Sequence, residues 1–120
     1  MKPGRRALCA ALLLWPAAQA FAARAEQARI DALLAAIEGS GCRFERNGAV
    51  YSAGEGATHL RTKLESAGDR VQTATQFIER IGSASSLSGQ PYRVLCPGQP
   101  AQPSRQWLEA RLAELLAAGN

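Results

Sequence analysis

Histidine, paired cysteines and long apolar runs are scarce in this 120-residue chain, and each shortage removes a class of function. With one histidine, His59, and no CxxC pair, the chain lacks the ligand set of a structural zinc site, and neither a metal nor a cofactor is expected. The apolar run from Ala7 to Trp15 falls short of the ~20 residues a membrane-spanning helix needs, and no longer run follows. No G-x-S-x-G elbow occurs, and no pair of carboxylates has a spacing that suggests acid–base work. Catalysis is therefore not expected.

Cysteine is the next shortage. There are three, and Cys9 lies in a segment with the pattern of a cleaved signal peptide. Lys2, Arg5 and Arg6 form its charged start, Ala7 to Trp15 its apolar centre, and Pro16 is expected to break it. Ala18, Ala20 and Ala22 then offer A-x-A cleavage sites after Ala20 or Ala22. The expected division is a signal peptide over 1–22 and one domain over 23–120, exported to the periplasm. An uncleaved anchor helix is the rival reading, disfavoured because no further apolar segment follows. In an oxidising compartment Cys42 and Cys96 are expected to form a disulfide.

Cleavage also changes the charge. Lys2, Arg5 and Arg6 are three of the 14 basic residues, no acidic residue leaves with them, and the formal +4 falls to about +1. The remaining basic residues are interleaved with glutamates rather than clustered, so nucleic acid is not an expected partner.

The remainder predicts an α+β fold of about four helices packed with a small antiparallel sheet, a hairpin plus one strand, tied by the one disulfide. Ile30, Leu33, Leu34 and Ile37 recur at helical spacing, so a first helix is expected over Glu26 to Glu38. Strands are expected at Cys42 to Arg46 and Ala49 to Tyr51, joined by Asn47-Gly48, the pair favoured by a type I′ turn. Ser52 and Glu55 form a capping box for helix two, whose apolar face is Ala57, Leu60, Leu64, Ala67 and Val71. Gly68 and Asp69 favour a break, and Thr73 with Gln76 suggests a second box opening a helix from about Ala74 to Ile81. A strand from Tyr92 to Cys96 follows, then a loop at 97–103 and a final helix capped by Ser104. That helix carries an apolar stripe from Trp107 to Leu116, read as core, with self-association as the alternative use.

These motifs, taken together, carry a resemblance. Phe44-x-Arg46-Asn47-Gly48-x-x-Tyr51-Ser52-x-x-Glu55 is followed by His59-Leu60-x-x-Lys63-Leu64 and Thr73-Ala74-x-x-Phe77-Ile78. Ser85-Ser86-Leu87-Ser88-Gly89-x-Pro91-Tyr92, Cys96 and Trp107-Leu108-x-x-Arg111-Leu112 complete the pattern. It resembles the YfeK-like family of small bacterial periplasmic proteins, a domain of unknown function, over about residues 30 to 115. The resemblance implies secretion and one fold but no mechanism. Gly56 stands where that family usually has alanine, which predicts a looser start to helix two.

The candidate binding residues are Arg46, Asn47, His59, Lys63, Ser88, Gly89 and Tyr92. Glu55, His59 and Lys63 share one stripe of helix two, where an ordinary solvated face is the preferred reading. Arg46 and Lys63 suit an anionic partner, so peptidoglycan carboxylates or an envelope protein are the expected partners; the oligomeric state is open. The expected function is a non-catalytic binding or interaction module of the cell envelope. The alternative rests on Ser88-Gly89-Gln90-Pro91-Tyr92, which has the form SGxxY and resembles a loop of certain periplasmic lysozyme inhibitors. The same residues suit a strand-entry turn in which Gly89 takes positive φ, Pro91 fixes φ and Tyr92 packs inward, the reading we prefer.

Overall fold

The computed structural model describes the backbone of residues 2–119 and the side chains of 16–119. Helix α1 spans Lys2–Glu38. Strands β1 (Arg43–Arg46) and β2 (Ala49–Ser52) form the hairpin, and α2 covers Ala53–Ala67. A 3-10 turn at Gly68–Arg70 separates α2 from α3, Ala74–Phe77, which runs on as a π-helical turn over Ile78–Gly82. Strands β3 (Arg93–Leu95) and β4 (Gln102–Pro103) precede α4, Ser104–Ala118. The sheet order is β2-β1-β3-β4, with every neighbouring pair antiparallel. The α+β architecture and the Cys42–Cys96 disulfide are thus as the sequence predicts.

Local chemistry accounts for the joints. Asn47 (φ 50°) and Gly48 (φ 79°) both adopt the left-handed conformation that the predicted type I′ turn requires. The Ser52 hydroxyl accepts from Glu55 N at 3.1 Å, and the Glu55 carboxylate accepts from Ser52 N at 2.9 Å, completing the capping box. Gly56, far from loosening α2, is buried against β1. A Cβ there would fall 2.8 Å from Phe44 Cβ, so the missing side chain sets how closely helix and strand approach.

The core gathers Ile30, Leu33, Leu34 and Ile37 from α1, Phe44 from β1, and Ala57 and Leu60 from α2. Phe77, Ile78 and Ile81 join from the α3 segment, Tyr92 and Val94 from β3 and its approach, and Trp107 and Leu108 from α4. The stripe of α4 is therefore core in its first half. Farther along, Leu112 and Leu115 pack against the core and Leu116 is exposed.

Several expectations need correction. The first helix does not begin at Glu26 and is not broken at Pro16; α1 runs from Lys2 straight through that proline. The alanine-rich flanks have high helix propensity, which offsets the local cost of one missing N–H. Thr73 accepts from Gln76 N at 3.1 Å, but the Gln76 amide oxygen accepts from Gln72 N at 2.8 Å, so the second box is shifted by one residue. The Glu26 carboxylate supplies another cap from across the fold, accepting from Ala74 N at 2.9 Å. Ser104 does not cap α4. It is the first helical residue, Pro103 occupies the cap position, and the Ser104 N–H donates to Tyr92 O at 2.9 Å. Strand β4 is a further addition within the segment expected as loop, too short for alternation to reveal.

Candidate functional site

Hairpin β1–β2, helix α2 and the loop at 83–91 meet at the end of the sheet opposite the disulfide. Lys63 is the centre. Its ammonium donates to Ile81 O and Ala84 O, each at 2.9 Å, and to the Tyr92 hydroxyl at 3.0 Å. An ammonium has three donors and no acceptor, so all its hydrogen-bonding capacity is used inside the protein. Lys63 also lies over the Tyr92 ring, 4.8 Å from its centroid. Burial and the nearby Arg46 charge lower its pKa.

The direction of the next bond follows. Tyr92 Oη accepts from Lys63, and its own proton is free to be donated. His59 Nε2 lies 3.2 Å from it. Burial first, then the Arg46 and Lys63 charges, lower the His59 pKa, so the neutral ring is favoured. A neutral His59 accepting at Nε2 carries its proton on Nδ1. The chain Lys63→Tyr92→His59 thus has one consistent polarity, and burial raises the Tyr92 pKa, keeping the phenol protonated.

A second cluster locks the hairpin tip to the loop. Asn47 Nδ2 donates to Ser85 Oγ at 3.3 Å, and Ser88 Oγ donates to Asn47 Oδ1 at 2.5 Å. The buried Ser85 hydroxyl also accepts from Leu87 N and Ser88 N, each at 3.3 Å. Gly89 has the expected positive φ, 75°. This arrangement presents Leu87 at the loop apex, 95 % exposed. Arg46 stacks on Tyr51 at 5.3 Å and donates to its hydroxyl at 3.4 Å.

All seven predicted residues therefore fall in one region, but their roles divide. Arg46, Asn47, His59 and Ser88 remain at least partly accessible. Tyr92 does not. It is 1 % exposed, packed 4.9 Å from the Phe44 ring, so its ring is not offered to a partner as the SGxxY comparison requires. Lys63 contributes charge and holds the loop, with no donor left to grip a ligand. The preferred solvated-face reading of the α2 stripe is likewise corrected: His59 and Lys63 turn inward to Tyr92, while Glu55 stays in its cap. Sequence reasoning missed Tyr51 as the platform for Arg46 and Ser85 as the hub of the loop. The Ser85-x-x-Ser88 spacing was the available signal for the latter.

The described basic groups of this face are not ion-paired. Among the described residues, Arg46, His59 and Lys63 make no ion pair, whereas Arg29, Arg61, Arg93, Arg105 and Arg111 each pair with a glutamate. The two glutamates that share a cavity of about 540 Å³ with Tyr51 and His59 are engaged elsewhere, Glu55 in its cap and Glu38 with Arg61. The described residues contain no cluster of three or more metal-ligating side chains, and no described helix is long and apolar enough to cross a membrane.

Comparison with known proteins places the chain in a family. Residues 24–116 match the family of unknown function DUF5329. The chain is 41 % identical over 91 residues to the uncharacterized protein YfeK of Salmonella typhimurium, covering 73 % of this chain and 76 % of the relative. No solved structure matches. The chain belongs to the DUF5329 family of unknown function, in keeping with its YfeK-like motifs.

Proposed function

We propose that the protein is an exported, non-catalytic binding module of the periplasm, whose hairpin–loop face takes an anionic component of the envelope. The carrying observation is the cluster of Arg46, His59 and Lys63, with no ion-paired carboxylate and a scaffold of satisfied hydrogen bonds behind it. Arg46 and the His59 Nδ1 proton are the donors available to a ligand, Asn47 and Ser88 line the rim, and Lys63 adds charge from below. Arginine's planar fork suits a carboxylate in particular. The carboxylates of peptidoglycan stem peptides are the class we favour.

Export is supported by how the chain uses α1. Residues 16–24 are all exposed, Phe21 at 73 %, and the buried face begins only at Ile30. Removing 1–22 would leave the described core intact.

Co-sedimentation with insoluble peptidoglycan tests the proposal. The wild-type chain should pellet with the wall, and Arg46→Ala should weaken this by about tenfold, the value of one charge-assisted hydrogen bond. Equal pelleting of both proteins, or none, would remove the assignment.

A further inference from the structure

A second cavity lies on the other side of Lys63, away from the hairpin. It has a volume of about 390 Å³ and is bounded by α2, the 3-10 turn, the π-helical turn and Ser86. Its polar lining is Thr62, Lys63, Ser66, Arg70, Arg80 and Ser86, and no carboxylate lines it. Val71, Ile81 and Ala67 supply an apolar wall.

The two arginines are held in place without being neutralised. Arg70 donates from Nε to Ala67 O and from Nη2 to Ser66 O, each at 3.1 Å. Arg80 donates from Nη1 to Arg70 O. Each guanidinium carries five N–H groups, so most donors on both remain available. Neither makes an ion pair among the described residues, although five other arginines of this chain do. Backbone tethers fix the two planar forks on the walls of one cavity, and hydroxyls surround them. Carboxylate offers two oxygens to such a donor set, whereas a phosphoryl group offers three, spread tetrahedrally, and carries more charge.

We propose that this cavity is a binding site for a phosphoryl group, held by Arg70 and Arg80 with Ser66 and Ser86 beside them, the apolar wall receiving the group's organic portion. Lys63 borders both sites and Ser86 lies in the same 83–91 loop, but the phosphoryl site does not depend on Arg46, His59 or the hairpin. It requires donors that Lys63 lacks and residues that the first site does not use.

The test follows amide and arginine Nε–H resonances of the ¹⁵N-labelled chain during titration with inorganic phosphate and with phenyl phosphate. A parallel measurement uses vesicles of phosphatidylglycerol against vesicles of phosphatidylcholine. Saturable shifts at Ser66, Arg70, Arg80 and Ser86, tighter for phenyl phosphate, are expected. Arg70→Gln with Arg80→Gln should weaken binding at least tenfold, while Arg46→Ala and Arg43→Gln should leave these shifts in place. Both glutamines replace exposed residues, and an unchanged melting temperature will show that the fold is kept. Arginine-dependent binding to phosphatidylglycerol vesicles would identify a lipid headgroup as the source; binding to the soluble phosphates alone would identify a free phosphate ester. Absence of shifts with every probe, or shifts unaffected by the double substitution, would overturn the proposal.

Discussion

Strand β1 starts beside a disulfide and ends beside a hydrogen-bond network, and β3, running the other way, does the reverse. At one end Cys42 and Cys96 join the strands covalently. At the other, Tyr92 and Lys63 join the strand to α2 and to the loop after the π-helical turn through three bonds to one ammonium. Both ends face the same problem, since strands of two to four residues supply few ladder bonds of their own and the sheet needs support from outside it. The solutions differ in what they leave over. A disulfide has no charge and no proton to exchange at neutral pH. The polar end retains a neutral histidine, an unpaired arginine and a half-buried ammonium, groups that can respond to a ligand. A covalent staple at one end permits a reactive arrangement at the other.

That contrast can be broken most severely at the staple. Cys42 and Cys96 are separated by 54 residues in sequence. Replacing both by serine should cost about 4 kcal/mol in the chain-entropy picture, read from chemical denaturation. The polar end comes next. Lys63→Met keeps the aliphatic stem but removes the ammonium from two carbonyls and the Tyr92 hydroxyl, at a cost of about 2 kcal/mol. Amide exchange over 83–91 should quicken in that variant, with little change around Cys42. The two ends lie about 13 Å apart along β1, so the combined variant should show nearly additive losses. A large departure from additivity would mean that they are not separate devices.

Smaller effects refine the picture of the network itself. Tyr92→Phe deletes one hydroxyl and keeps the ring against Phe44, and should cost about 1 kcal/mol by the same measurement. The pH dependence is smaller again and has a definite sign. The folded-state pKa of His59 lies below its ordinary value of 6.5, because burial and two neighbouring cations oppose the charged ring. The unfolded chain therefore takes up this proton first as pH falls. The contribution of His59 is fully present above about pH 6.5 and is lost as pH drops through the folded pKa. His59→Asn should flatten that part of the stability–pH curve, and an unchanged curve would show that His59 is not held as described.

What could be read in the chain divides along the range of the interactions. Short-range signals were legible. Asn47-Gly48 specified its turn, Ser52 with Glu55 specified a cap, and Ile30 to Ile37 specified a helix face, because each depends on residues within one or two turns. That the seven candidate residues lie in one region was legible too, from the hairpin and the loop at 83–91. Their roles were not. That Lys63 spends its donors on Ile81 and Ala84, eighteen and twenty-one residues away, depends on the π-helical turn and the Ala84–Pro91 bridge after it facing α2. Ser104 looked like a cap because serine before an apolar stripe usually is one. Pairing of β4 with β3 draws its N–H to Tyr92 instead, a long-range choice that no local pattern announces. The basic cavity was hidden for the same reason, as Lys63, Arg70 and Arg80 are spread along the chain and meet only when α2 and the π-helical turn pack together.

The most direct test of the central claim is to map where an anionic wall fragment touches the sheet. The ¹⁵N-labelled chain would be titrated with soluble peptidoglycan fragments that bear free stem-peptide carboxylates, and amide shifts followed at both ends. Saturable changes at Arg46, Asn47, His59 and Ser88, with Cys42 and Cys96 undisturbed, are the predicted result. Changes centred on the disulfide end, or none at any concentration reached, would contradict the assignment of function to the polar end.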